Sequence, residues 1–384
     1  MSGAGIYLHI PFCRSRCSYC DFATGMYEII LADQYVLAIC AEIDGWREIT
    51  EPLAVDTIYF GGGTPSLLDP SQLEKICDAI QRKFEIAPNV EVSLELNPGD
   101  SGVSAAGKPE KLCAFRRLGV NRVSFGAQTF DDLELKQLGR THDAAEISNT
   151  FQQLRESGFD NVNFDLIAGL PGQTLRGWQR NLDQAIALKP EHLSLYLLDV
   201  HEGTPLADQI HRGMRPPPDD DLTAVMYSTM VEQLTAVGYE HYEISNFSRP
   251  GFQSRHNSKY WTGDAYYGFG CSAHSFDGRD RRWANERDTA KYVKLIETGQ
   301  SLIVERQNLS TEEARAEAIF LGLRLMRGID LENYRRRFGH RLGEEYGPEL
   351  ERLSEAGLVQ IDERVLRLTP RGALLSNEVF AALA

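Results

Sequence analysis

Short, β-rich apolar runs alternate with longer stretches of helical apolar periodicity over the first two hundred residues. The runs are IYLHI (6–10), DTIYF (56–60), EVSLEL (91–96), RVSFG (122–126), NVNFDLIAG (161–169) and HLSLYLLDV (192–200). Between them, 32–49, 71–84, 108–118, 143–157 and 175–188 place apolar residues at helical spacing. Glycine follows the last periodic residue in RRLGVNRV and RESGFDNV, as helix ends require. Six such alternations predict a parallel sheet with helical crossovers.

In parallel α/β folds chemistry gathers at the carboxyl ends of the strands. The residues there are His9 and the cysteines after it, Gly61-Gly62-Gly63-Thr64, Glu95-Leu96-Asn97-Pro98, Gln128, Asp165 with Gly169, and Asp199. Beyond them, RGMRPPPDDD (212–221) reads as a surface connection, because its prolines and aspartates cannot continue a helix or a central strand. A helix is expected at 222–237, within a segment otherwise rich in glycine and aromatic residues. From Ser310 the character changes. A capped helix (STEEARAEAIFLGLRLMRG) leads to DLENYRRRFG, a helix at GPELERLSEAG, and two short runs, LVQID and VLRLT, split by Glu363-Arg364 as in a hairpin. That order looks like a winged-helix module. Its 11 arginines, with no lysine, face 13 acids, which argues against duplex binding.

The formal net charge of -15 likewise supplies no phosphate-binding surface, so no nucleic-acid partner is expected. No run approaches the length of a membrane span, and MSGAGIYLHIPF has neither a basic region nor a signal core. A soluble, cytoplasmic protein is expected. Of the seven cysteines, Cys40, Cys77, Cys113 and Cys271 are scattered singly and read as small buried hydrophobes. The other three, Cys13, Cys17 and Cys20, crowd into YLHIPFCRSRCSYCDF. A structural zinc wants four ligands and usually two CxxC hooks, of which only one triplet exists here. A four-iron cluster held by three thiolates would leave one iron open for something exogenous.

CxxxCxxC after a short strand, with Tyr19 before the last cysteine, resembles the radical S-adenosylmethionine (SAM) enzymes, whose open iron binds SAM. Gly61-Gly62-Gly63-Thr64-Pro65 at the end of the next strand strengthens the resemblance. Glycines there would let the backbone approach the methionine end of SAM and offer its N–H groups. YLHIPFC, YFGGGTPS, SLELNPG, SFGAQTF, LGRTH, NFDLIAGLPGQT and GFGCSAHSF are similar, in order, to motifs of one branch of that family. The branch holds the oxygen-independent coproporphyrinogen III dehydrogenase and the HemW haem chaperones. The resemblance implies an α/β fold, a radical SAM partial (β/α)6 TIM-like barrel with a C-terminal α+β winged-helix-like domain. It divides the chain into the barrel (1–215), an extension (216–305) and the small C-terminal domain (306–384). By position, Tyr7, Gly62, Glu95 and His274 would contact cluster-bound SAM. Tyr19, Gly63, Thr64, Gln128, Arg140, Asp165 and Asp199 match positions that hold a second SAM in the dehydrogenase.

Three departures favour the chaperone. Cys20-Asp21-Phe22 puts phenylalanine where the dehydrogenase has a fourth cysteine, and only five residues precede Ile6, where the dehydrogenase has a covering extension. His256-Asn257-Ser258-Lys259-Tyr260-Trp261 matches the HNxxYW signature of the chaperones. It implies haem contact by His256, Tyr260 and Trp261, since imidazole can ligate haem iron and aromatic rings can stack on a porphyrin. The expected cofactors are a [4Fe-4S] cluster, SAM and haem. The expected partner is a respiratory haem-acceptor protein, with room for a flavodoxin- or ferredoxin-type reductant and for transient membrane contact. The alternatives are the dehydrogenase itself and an RNA-modifying radical SAM enzyme, the latter disfavoured by the acidic balance.

Overall fold

A computed structural model describes residues 3–47, 54–100 and 109–383. All six expected strands form: β1 (Ala4–Ile10), β2 (Val55–Gly62), β3 (Ile86–Leu96), β4 (Arg122–Gln128), β5 (Val162–Ala168) and β6 (His192–Leu197). Each pairs parallel with the one before. The crossovers are α1 (Ile29–Gly45), α2 (Pro70–Lys83), α3 (Glu110–Arg117), α4 (Ala144–Glu156) and α5 (Leu175–Leu188). The expected helix end at 48–49 and helix start at 108 lie outside the described residues. Reciprocal capping boxes, Asp69 with Gln72 and Asp143 with Glu146, start α2 and α4 by satisfying amides that no helical carbonyl can reach.

Alternate residues of these strands face opposite sides of the sheet. Ile6, Leu8, Phe60, Leu94, Phe125, Phe164 and Leu195 join the apolar core beneath the helices. Their neighbours on the other face are polar: His9, Thr57, Glu91, Ser93, Arg122, Ser124, Asn163, His192 and Ser194 are all buried. Parallel strands covered on both faces usually read as continuous apolar runs. Here the inner face lines a hollow rather than a packed core.

Residues 240–308 extend the sheet at both edges. On one side β7 (Glu240–Glu243) and β8 (Asn246–Ser248) add antiparallel to β6. On the other, β9 (Tyr266–Phe269) pairs parallel with β1, and β10 (His274–Phe276), β11 (Arg281–Asn285) and β12 (Ile303–Asn308) follow antiparallel. The order is β12-β11-β10-β9-β1-β2-β3-β4-β5-β6-β8-β7, an unclosed barrel with one more parallel strand than the sequence pattern predicts. The helix expected at 222–237 is α6 (Asp220–Ala236).

The helix α7 (Arg255–Thr262), which carries the HNxxYW residues, covers the amino ends of β1 to β3. Both carboxylate oxygens of Glu91 accept from its first amides, those of Arg255 (3.1 Å) and His256 (3.0 Å). Lys259 reaches Asp56 (2.8 Å) and the Gly3 carbonyl (2.6 Å). Beyond Ser310, whose capping box with Glu313 starts α8 (Thr311–Leu323), come α9 (Leu331–Phe338), α10 (Gly347–Glu355) and a three-stranded antiparallel sheet. Its strands are β13 (Ile329–Asp330), β14 (Val359–Ile361) and β15 (Val365–Leu368), the last two forming the expected hairpin. Among the described residues no helix is long and apolar enough to cross a membrane.

Candidate functional site

At the carboxyl ends of the strands lies a cavity of about 620 Å3. Cys13, Cys17 and Cys20 line it, together with Tyr19, Gly62, Gly63, Thr64, Glu95, Gln128, Arg140, Asp165 and Asp199. Twelve separately predicted residues from seven segments thus meet in one place.

The cysteine loop is pinned on several sides. Phe12–Cys13 pairs with Gly25–Met26, and the amide of Ser18 donates to the Leu138 carbonyl (2.9 Å). His9 accepts or donates at both ring nitrogens, to the Tyr7 hydroxyl (3.1 Å) and the Ala23 carbonyl (2.9 Å), so it anchors the loop and has no nitrogen left to complete a zinc site. The LGRTH segment supplies the other wall. Arg140, half-buried behind the loop, donates to the Cys17 sulfur (3.3 Å), the Gly126 carbonyl (2.7 Å) and the Asn97 side chain. Thr64 donates to the Cys13 sulfur (3.6 Å), and Asn97 in turn donates to the Thr64 hydroxyl (2.8 Å). A cation and a hydroxyl aimed at thiol sulfurs suit thiolate ligands. Among the described residues no three His, Cys, Asp or Glu side chains converge tightly enough to hold a single metal ion. All three thiols line the one cavity, and three thiolates there are the donor set of a cluster with one open iron.

The glycine run has a different role from the one its composition suggests. The Gly62 amide donates to Glu95 (3.0 Å), that of Gly63 to the Ile10 carbonyl (2.8 Å), and that of Thr64 to the Phe12 carbonyl (2.7 Å). Those N–H groups are therefore committed within the protein and not offered to a ligand. Glycine is needed because β2 must pass beside β1 and the cysteine loop. A Cβ on Gly62, which sits at φ 107°, would lie 2.6 Å from the His9 ring, and one on Gly63 would lie 2.7 Å from the Phe12 carbonyl.

Two carboxylates stand deeper in the cavity. Glu95 accepts from the Tyr59 hydroxyl (2.9 Å) and the Gly62 amide, yet burial pushes its pKa up to about 7, with the charge of nearby Asp165 adding to the rise. Burial also raises Asp165, against donors from Asn163 (2.8 Å) and Ser124 (3.3 Å). Each is a strong acceptor whose anion gains from an incoming cation or hydroxyl. Gln128 ends β4 at φ 66°, a left-handed conformation rare for a side-chain-bearing residue, which turns the chain at the cavity wall. Asp199 stands at the rim with its side chain 81% exposed.

Four predicted residues lie elsewhere, and a fifth only touches the wall from outside. Tyr7 is sealed behind Tyr59, their rings 6.2 Å apart, and acts on the site through His9. His274 is exposed on β10, outside the cavity. His256 is fully buried in the barrel floor. Its Nδ1 meets Thr57 (2.9 Å), its Nε2 meets Tyr260 (3.0 Å), it stacks on Tyr59 (5.2 Å), and burial pushes its pKa down to about 3. Neither nitrogen is free in this arrangement. Trp261 faces away from the barrel, under Arg324 at 4.4 Å. The structure also adds residues that the site predictions omit: Asn97, Tyr59, Ser124, Ser194 and Tyr196 line the cavity. Period-two alternation along β2, β4 and β6 is the signal that could have found them, since Tyr59, Ser124, Ser194 and Tyr196 share the inner face with Glu95 and Asp165.

Residues 7–185 match the Radical SAM superfamily and residues 309–375 the HemN C-terminal domain. The fold is that of the coproporphyrinogen III oxidase (HemN) of Escherichia coli, with a TM-score of 0.84 and 24% identity, covering 99% of this chain and 90% of that one. Fold and cysteine-lined mouth define a radical SAM protein, whose cofactors are a [4Fe-4S] cluster and SAM. The chain is 37% identical to the heme chaperone HemW of Bacillus subtilis over 377 residues, 98% of either chain. It is 34% identical to that of Mycobacterium tuberculosis, over 99% of this chain and 94% of the relative. This chain belongs to the HemW family.

Proposed function

We propose that the protein is a haem chaperone: it binds haem and passes it to an acceptor, a respiratory haem protein, in the cytoplasm, with its cluster and SAM housed at the barrel mouth. The observation that carries this reading is the mouth itself, three thiols and no fourth, with Phe22, 63% exposed, in the dehydrogenase's fourth-cysteine position. The full-length likeness to HemW relatives supports the same choice.

In this reading Cys13, Cys17 and Cys20 hold the cluster, which when reduced supplies the electron that can open the sulfonium of SAM. Arg140 and Thr64 hold charge at the sulfurs. Glu95 accepts from the ammonium of SAM, and Asp165, Gln128 and Tyr19 border the remaining space, which a nucleoside or a second SAM fits. Tyr7 and His9 position the loop.

Anaerobic reconstitution with iron and sulfide tests the cluster. Cys17→Ala should lose the broad iron–sulfur absorbance and Cys113→Ala should keep it; the reverse removes the assignment. Incubation of the reduced protein with SAM and coproporphyrinogen III tests the function, because formation of protoporphyrinogen would replace the chaperone reading by the dehydrogenase.

A further inference from the structure

A second cavity, of about 540 Å3, lies between α7 and the C-terminal domain and shares no lining residue with the barrel mouth. Its size falls in the ~300–1,000 Å3 range of small-molecule sites. Trp261, from the HNxxYW segment, forms part of its wall, with Phe276, Leu321, Ile329 and Phe338.

Some of its polar groups are buried without a partner. Tyr334 is 4% exposed and lines the cavity, and its hydroxyl has no hydrogen-bond partner. The Nε of Arg282 is likewise buried and unpartnered. Buried polar atoms are rarely left so unless something else meets them. At the cavity stand Arg279, Arg327 and Arg337, all exposed; Arg337 lies in the field of Asp264 and Glu317, and among the described residues no acid closes an ion pair with Arg279 or Arg327. Two acids also line it: Glu317 pairs with Arg282 (2.6 Å), and Asp330, still an anion, accepts from the Asn333 amide (2.7 Å). The lining therefore sets four guanidiniums, those of Arg279, Arg282, Arg327 and Arg337, against the carboxylates of Glu317 and Asp330, and in a chain of net charge -15 that local excess favours an anion.

The ligand that answers these features is broad and apolar and carries carboxylates. Haem, an apolar macrocycle with two propionates and a central metal, has that chemistry. We propose that haem docks in this cavity, its propionates on two of these three exposed arginines and its face toward Trp261 and Tyr334. The proposal rests on the chaperone reading and gives it a location. It also divides the signature on α7 between two tasks: His256 closes the barrel floor and Trp261 serves the haem site.

The test is a hemin titration of the reconstituted full chain, followed by absorbance. The double variant Arg327→Glu with Arg337→Glu should weaken hemin binding at least tenfold with the iron–sulfur absorbance unchanged, and the charge-matched double variant Arg176→Glu with Arg212→Glu, away from both cavities, should bind as the parent does. Tyr334→Phe, which keeps the ring, should shift the absorption spectrum of bound hemin. If the double variant binds hemin as tightly as the parent, the location is wrong and the chaperone reading stands. If the parent itself binds no hemin, both fall.

Discussion

Glu91 and Glu95 sit four residues apart on the same strand and the same face, and they do opposite things. Glu91 has both oxygens on the first amides of α7, where an anion at a helix start is favoured, and it ties the barrel floor shut. Glu95 has a hydroxyl and one amide, a neighbouring carboxylate, and open space beyond. Residue type and strand face are the same in the two cases. The difference is that one acid is answered by the fold and the other is left for a ligand.

That contrast breaks most readily at Glu91. Glu91→Ala strands two amides in a buried place and should lower stability by about 3 kcal/mol, read as a fall in melting temperature. An unchanged melting temperature would show that the floor does not depend on it. His256→Ala removes contacts to Thr57 and Tyr260 and should lower stability by about 2 kcal/mol while leaving the iron–sulfur spectrum intact. Spectral loss would show that the cluster site depends on this histidine.

Glu95→Gln should act on the ligand. SAM affinity, measured by equilibrium dialysis, should fall by about tenfold. Stability should move the other way at high pH. A carboxyl raised to about 7 contributes stability that is present below its ordinary value and is lost as pH rises through 7, so at pH 8 the glutamine variant should melt above the parent. That gap should close toward pH 5. The smallest effect is the pH dependence of SAM binding itself, which should weaken as pH drops from 8 to 6 in the parent and stay nearly flat in the variant. A parent with no slope would mean that Glu95 is already charged without SAM.

Much of this molecule is legible in its sequence. Six strands, their crossover helices, the capped helix after Ser310 and the hairpin follow from local periodicity and caps, and the twelve residues at the mouth follow from motif position. The seventh parallel strand, Tyr266–Phe269, escapes because its glycine-rich run has no local strand signature, and its pairing with β1 joins segments over two hundred residues apart. His256 escapes for a related reason. A histidine in a loop-like stretch looks free until Glu91 draws its helix under the barrel and Thr57 and Tyr260 engage both nitrogens. Local pattern tells which side chains carry chemistry, but whether a partner already occupies them is decided by closure of the sheet.

With α7 laid across its base, the barrel is reached, among the described residues, from the mouth where Phe22 and Asp199 stand. Traffic through a shared mouth is ordered: what enters first leaves last. A nucleotide lodged beside Glu95 would then exchange slowly whenever something larger stands at the threshold near Phe22 and Asp199, and its residence time would report on that visitor without any contact between the two.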